Sequence, residues 1–181
     1  SDEKSKLRLA ECYNSLGEYD RALSVLKSDT DEIPPDMLLQ LSEANFRLQN
    51  LYSAEKQALQ ALQLYFNEAS NEKFYNYYGE IITTSELPKE YRGTKPNVID
   101  CTPETRLNLV RYTSPSIIAC LKQLSNIYWS RNDSQLEKAY DDKILEMLPQ
   151  VYGQSALVHI SGTIHNNQAG HYYGIGKYEK S

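Results

Sequence analysis

Residues 6–28, KLRLAECYNSLGEYDRALSVLKS, place a large, a small and an aromatic residue at Leu9, Ala10 and Tyr13, followed by Gly17, Tyr19 and a second small residue, Ala22. The first three fall on one face of a helix, Gly permits the backbone of a tight turn, and small residues let two helix axes approach to about 8–10 Å. The stretch therefore predicts a helical hairpin. Its centre, YNSLGEYDRA (Tyr13–Ala22), returns as YYGIGKYEKS (Tyr172–Ser181) with Tyr, Gly and Tyr in register. Since a lone hairpin cannot bury its apolar face, repetition of one points to a stacked array. The second copy stops at Ser181, where a helix is due to begin, so a piece of a longer array is expected.

Weaker copies lie between. Pro34 and Pro35 end the first unit. In LSEANFRLQNLYSAEKQAL (residues 41–59), Leu41, Ser42, Leu51 and Ala54 take the matching places, while Asn45 replaces the aromatic residue and Gln49 the glycine. Its second helix is expected to run to about Phe66. Over 72–82, Phe74, Tyr77, Tyr78 and Ile81 are at helical spacing, which predicts a helix. The following ELPKEYRGTKPNVIDCTP (86–103), with three prolines and a glycine, predicts an irregular connection over about 85–102. Thr102-Pro103 and Ser114-Pro115 are helix starts, each with a capping hydroxyl before a proline at the first helical position. In SIIACLKQLSNIYWS (116–130), Leu124, Ser125 and Tyr128 repeat the triad; a slightly lengthened turn, RNDSQ, is expected to put Ala139 at the small position of the partner helix. A last unit is expected from about Ala156, with Ala169, Tyr172, Gly176 and Tyr178 in place.

This pattern resembles the tetratricopeptide repeat. The interval from Tyr13 to Tyr172, 159 residues (172 − 13), is about four periods of 40, nearer to arrays with extended helices than to the minimal repeat. The resemblance implies an all-α fold, an α-α superhelix of stacked antiparallel helix pairs with about five units, the third degenerate and the last truncated, in one domain spanning 1–181. It further implies a concave groove lined by the first helix of each unit, in which Asn side chains bond a peptide backbone and Lys or Arg bind carboxylates. The matching positions make Glu11, Glu43, Lys122, Asn126 and Asn167 the peptide-binding candidates. Lys122, Asn126 and Asn167 resemble three of the five positions of a carboxylate clamp, although Asn and Lys are also ordinary residues of a solvated helix face.

Composition narrows the function classes. Hydrophobic residues make 40% and charged residues 24%, as in folded domains. A net charge of −5, without a basic run, argues against nucleic acid as a partner. No apolar run reaches the roughly 20 residues of a membrane span. Cys12, Cys101 and Cys120 are scattered, with Cys12 and Cys120 expected in the core. His159, His165 and His171, six apart, point about 120° away from one another on a helix and cannot jointly hold a metal. No nucleophile, zinc or phosphate-loop motif occurs, so no catalytic residue, cofactor or metal is expected.

The function expected is a protein- or peptide-binding repeat module, the sensory or scaffolding part of a larger protein, with an output domain C-terminal to it in view. The alternatives are a structural scaffold subunit of a multi-protein complex, or a secreted glycan-binding protein on the same frame, supported by the 85–102 connection and Trp129. The residues do not fix a compartment; a cytoplasmic one is the expectation.

Overall fold

The computed structural model describes residues 2–27, 32–67, 74–75, 81–82, 97–110 and 114–150. Seven helices form among them: α1 (Glu3–Ser15), α2 (Tyr19–Val25), α3 (Pro35–Arg47), α4 (Leu51–Asn67), α5 (Pro103–Leu109), α6 (Pro115–Ser130) and α7 (134–150). Thr102 caps α5 through the Thr105 N–H (3.1 Å), and Ser114 caps α6 through the Ile117 N–H (3.2 Å), each ahead of a proline at N1. These are the two starts read from the sequence.

Three hairpins, α1/α2, α3/α4 and α6/α7, share one turn. Gly17, Gln49 and Asn132 sit at φ 77°, 64° and 58°. Each donates its N–H three residues back, to Asn14, Phe46 and Trp129. Each following residue donates five back, to Tyr13, Asn45 and Tyr128, at 2.8–3.0 Å. This is the left-handed helix stop that glycine favours, here occupied also by Gln and Asn. The third turn is therefore not lengthened. Seven residues before the left-handed residue stand Ala10, Ser42 and Ser125; five after it stand Ala22, Ala54 and Glu137, all of them buried. The expectation for Ala139 is corrected accordingly: Glu137 holds the place of Ala22 and Ala54, and Ala139 is only half-buried. In the second hairpin Ser42 Oγ donates to the Ala54 carbonyl at 2.6 Å across the helix crossing.

The hairpins stack in order. α3 packs on α1 and α2 as well as on its partner α4, and α6 packs on α4 and α3. One apolar core runs through the stack from Ala10 and Leu26, by Leu38, Leu62 and Phe66, to Leu121, Ile144 and Leu148. The third hairpin thus sits directly on the second although residues 68–114 separate them in sequence. That interval was expected to hold a degenerate repeat, beginning with a helix over 72–82. Instead Phe74–Tyr75 (β1) pairs antiparallel with Ile81–Ile82 (β2), in the register Phe74 with Ile82 and Tyr75 with Ile81. The residues between include Gly79, which costs a helix about 1 kcal/mol, and Phe, Tyr and Ile favour the strand. Apart from this two-rung ladder the described fold is all-α. The final expected unit, from about Ala156, lies outside the described residues, as does most of the 85–102 connection.

A buried arginine ties the returning chain to the third hairpin. Arg106, on α5, donates from Nε to the Val98 carbonyl (2.6 Å), from Nη1 to the hydroxyls of Tyr128 (3.2 Å) and Tyr140 (3.1 Å), and from Nη2 to the Cys101 carbonyl (3.4 Å). The Tyr140 hydroxyl donates onward to the Pro103 carbonyl at 2.9 Å. The two rings meet edge to face with centroids 5.0 Å apart. Burial pushes both phenols well above their ordinary range, so they remain neutral. No described helix is long and apolar enough to cross a membrane.

Candidate functional site

α3 lies beside both α1 and α6, so the first helices of the three hairpins form one layer and present equivalent positions in rows. One residue after the small position stand Glu11, Glu43 and Asn126. Three residues before it stand Leu7, Leu39 and Lys122, and four after it Asn14, Phe46 and Trp129. The row containing Glu11, Glu43 and Asn126 therefore brings together three of the five candidates named from the sequence, with Lys122 one turn before Asn126. The fifth, Asn167, lies outside the described residues.

Their surroundings differ along the layer. Glu11 is exposed. Glu43 is half-buried and accepts from Arg47 Nε at 2.8 Å, one turn along α3, while the Arg47 guanidinium lies 5.6 Å over the Phe46 ring. Asn126 is half-buried and Trp129, one turn further, is 51% exposed. Asn14 does not project freely: its Nδ2 donates to Gln40 Oε1 (2.8 Å) and to the Gln40 carbonyl (3.1 Å), joining α1 to α3.

Lys122 is committed elsewhere. Its Nζ lies 3.4 Å from Oδ1 of Asp141, a fully buried residue of α7. A lysine whose charge is already balanced by a buried carboxylate is a poor receptor for a second one, which counts against the carboxylate-clamp expectation. The same Asp141 oxygen accepts from Ser125 Oγ, and Glu137, one turn earlier on α7, is also buried. Desolvation, and then the neighbouring Asp141, push the Glu137 carboxyl up to about 7, with Lys122 pulling the other way. Sequence reading missed this cluster. Its signal was nonetheless present: nine residues after each left-handed residue stand Leu26, Ala58 and Asp141, so the third hairpin carries acids where the first two carry apolar side chains.

A solvent-open cavity of about 710 Å³ lies at the start of α3, walled by Pro34, Pro35, Leu38, Leu64 and Ile99 and edged by Glu3 and Glu32. Among the described residues no histidine or cysteine lines it, and no group of three His, Cys, Asp or Glu could hold a metal. Cys12 is exposed, against expectation, because α1 is the edge of the described stack and turns that side to solvent; Cys120 is buried as expected. Compared with known proteins, the chain matches no family model, no curated protein and no solved structure.

Proposed function

We propose that this chain is a tetratricopeptide-like repeat module that binds an extended peptide, or an extended segment of a protein partner, across the layer formed by α1, α3 and α6. The observation that carries the reading is the recurrence of one turn, with a left-handed residue at the same place and the same two hydrogen bonds, in three hairpins that stack in order. A layer built from one such helix per hairpin offers side chains at regular intervals, which suits an extended ligand. Asn126 is the residue of the layer best suited to bond a peptide backbone, having both a donor and an acceptor. Trp129 supplies a half-exposed aromatic platform beside it. Glu11 and Glu43 favour ligands without excess negative charge on that side.

Peptides selected from a random display library on the immobilised chain provide the probe. We expect Asn126→Ala and Trp129→Ala each to weaken the selected peptides about fivefold or more, the scale of a contributing interface contact. Peptides that bind both variants as tightly as the parent chain would overturn this placement of the site. A scaffold role, with the repeats packed against other subunits, draws on Tyr52, which is 78% exposed on α4, away from the layer. Selected peptides insensitive to the layer but lost in Tyr52→Ala would favour that second reading.

A further inference from the structure

One side of the first helix is treated alike in the second and third hairpins and differently in the first. Leu9 is 44% exposed, whereas Leu41 and Leu124, at the same place of α3 and α6, are at 9% and 0%. Cys12 is exposed where Ala44 and Ile127 are fully buried. Arg8 is exposed where Gln40 is half-buried and Gln123 buried. Leu9, Cys12 and Leu16 stand at i, i+3 and i+7, so α1 carries an exposed line of apolar side chains on this side.

On α3 and α6 this side rests on the hairpin before. Gln40 accepts two hydrogen bonds from Asn14 of α1, and Ile127 packs in one apolar cluster with Phe46 and Ala54 of the second hairpin. The second helix of each preceding hairpin lies there too, α2 on α3 and α4 on α6. The open side of α1 therefore continues a series of two interfaces formed within the chain, and the helices seated on it in both are the chain's own.

The third hairpin shows the complementary asymmetry. Leu59 and Leu62 of α4 are buried, whereas Asp142 and Leu145, at the same places of α7, are exposed and half-buried. Four residues after the small position Asn14 meets Gln40 of the next hairpin, and the corresponding residue of the third hairpin is Trp129, 51% exposed. The residue of α1 that stands in the place of Gln40 is Arg8. A guanidinium over an indole is a favourable pair.

We propose that the exposed side of α1 docks the third hairpin of a second copy of this chain, so that copies stack head to tail and the series of hairpins continues from one molecule into the next. Leu9 and Cys12 then lose water as Leu41 and Ala44 do, and Arg8 lies against Trp129 of the neighbouring copy. Such a contact is heterologous, each molecule using one end on one neighbour and the other end on the next, and it does not close at two chains.

The test is sedimentation velocity of the parent chain, Leu9→Glu and Trp129→Glu over concentrations from about 5 to about 500 μM. We expect the average mass of the parent to rise with concentration beyond that of two chains, and each substitution to weaken association about tenfold or more. An equimolar mixture of the two variants decides the geometry, because one retains an intact third hairpin and the other an intact α1: it should form pairs of chains and nothing larger. A parent chain that keeps the mass of one molecule throughout would overturn the proposal and leave the side of α1 to another partner or to other residues of the same chain. Variants that fail to pair when mixed would overturn it in favour of contact between one α1 and another. Should a variant not fold, alkylation of Cys12 in the parent chain is the measure. A rate that falls about threefold or more across this range supports the docking, and a constant rate overturns it. Leu9 lies off the row of Glu11, Glu43 and Asn126, so peptide selection on Leu9→Glu keeps this result apart from the peptide-binding proposal, with which it shares only Trp129.

Discussion

Arg131 Nη1 lies 2.5 Å from Glu55 Oε2, so the turn of the third hairpin is ion-paired to α4 of the second, across the whole interval that separates them in sequence. The side chains are 35% and 21% exposed, which places the pair between a solvated and a buried bridge. Arg131→Ala and Glu55→Ala should each lower stability, and their double-mutant cycle should give a coupling of about 0.5–1 kcal/mol by chemical denaturation. A coupling of zero would mean that apolar contacts, those of Phe46, Ala54 and Ile127 and of the main core, hold this junction without help from the ion pair.

The three left-handed turns predict effects of opposite sign. At Gly17 a Cβ would meet only the Tyr19 hydroxyl, 3.9 Å away, so space is not the obstacle; the backbone at φ 77° is. Gly17→Ala should cost about 1–2 kcal/mol. Gln49→Gly and Asn132→Gly should each be neutral or stabilising, by up to about 1 kcal/mol, with the smaller gain at Asn132 because Asn tolerates this conformation. Denaturant midpoints at constant slope check the set.

Removing the guanidinium at the α5 junction deletes four hydrogen bonds at once. Arg106→Met should destabilise by about 3 kcal/mol or more, since hydrogen bonds to a charged group contribute about 1.5–3 kcal/mol each and are not independent. Arg106→Lys should recover little of this, because one ammonium cannot span the fork that reaches Val98, Cys101 and both tyrosines. Near-ultraviolet circular dichroism of the tyrosines, followed through unfolding, reads the effect at the site.

Ser42→Ala copies the residue found at Ala10 and should still cost about 1 kcal/mol, the net worth of its hydrogen bond to the Ala54 carbonyl. Ser125→Ala should cost more, because the acceptor that loses its donor is the buried Asp141 carboxylate rather than a carbonyl. The comparison of the two by thermal unfolding at pH 6 separates an ordinary crossing from a charged one.

How far the residues disclosed this arrangement varies along the chain. The turn and the helix crossing of the first hairpin were legible, because Ala10, Gly17 and Ala22 each have a steric reason to be small, whereas the exposure of Cys12 on the same hairpin was not. The helix starts at Thr102 and Ser114 were legible for a similarly local reason, a capping hydroxyl followed by proline. The register of the third hairpin was not: Asn132 can adopt the glycine conformation without announcing it, and Glu137 disguises a position that small residues normally mark, so Ala139 drew the assignment. Over 72–82, aromatic and β-branched residues satisfied a helical spacing while favouring a strand. The stacking of α6 on α4 depends on tertiary contacts that no local pattern records. For the candidate site, the row of Glu11, Glu43 and Asn126 followed from the repeat, whereas the pairing of Lys122 with Asp141 required knowing what faced it.

Gln63 Oε1, near the end of α4, accepts the Val98 N–H at 2.9 Å. The chain that departs after Asn67 is thus fastened, on its return, beside the helix it left. Such a closed excursion makes the α4–α6 junction a natural splice site: segments of other lengths could be grafted between Asn67 and Asn97 while the hairpins on either side keep their seats. The stacked hairpins can in this way gain or exchange an appendage while keeping the contacts between them.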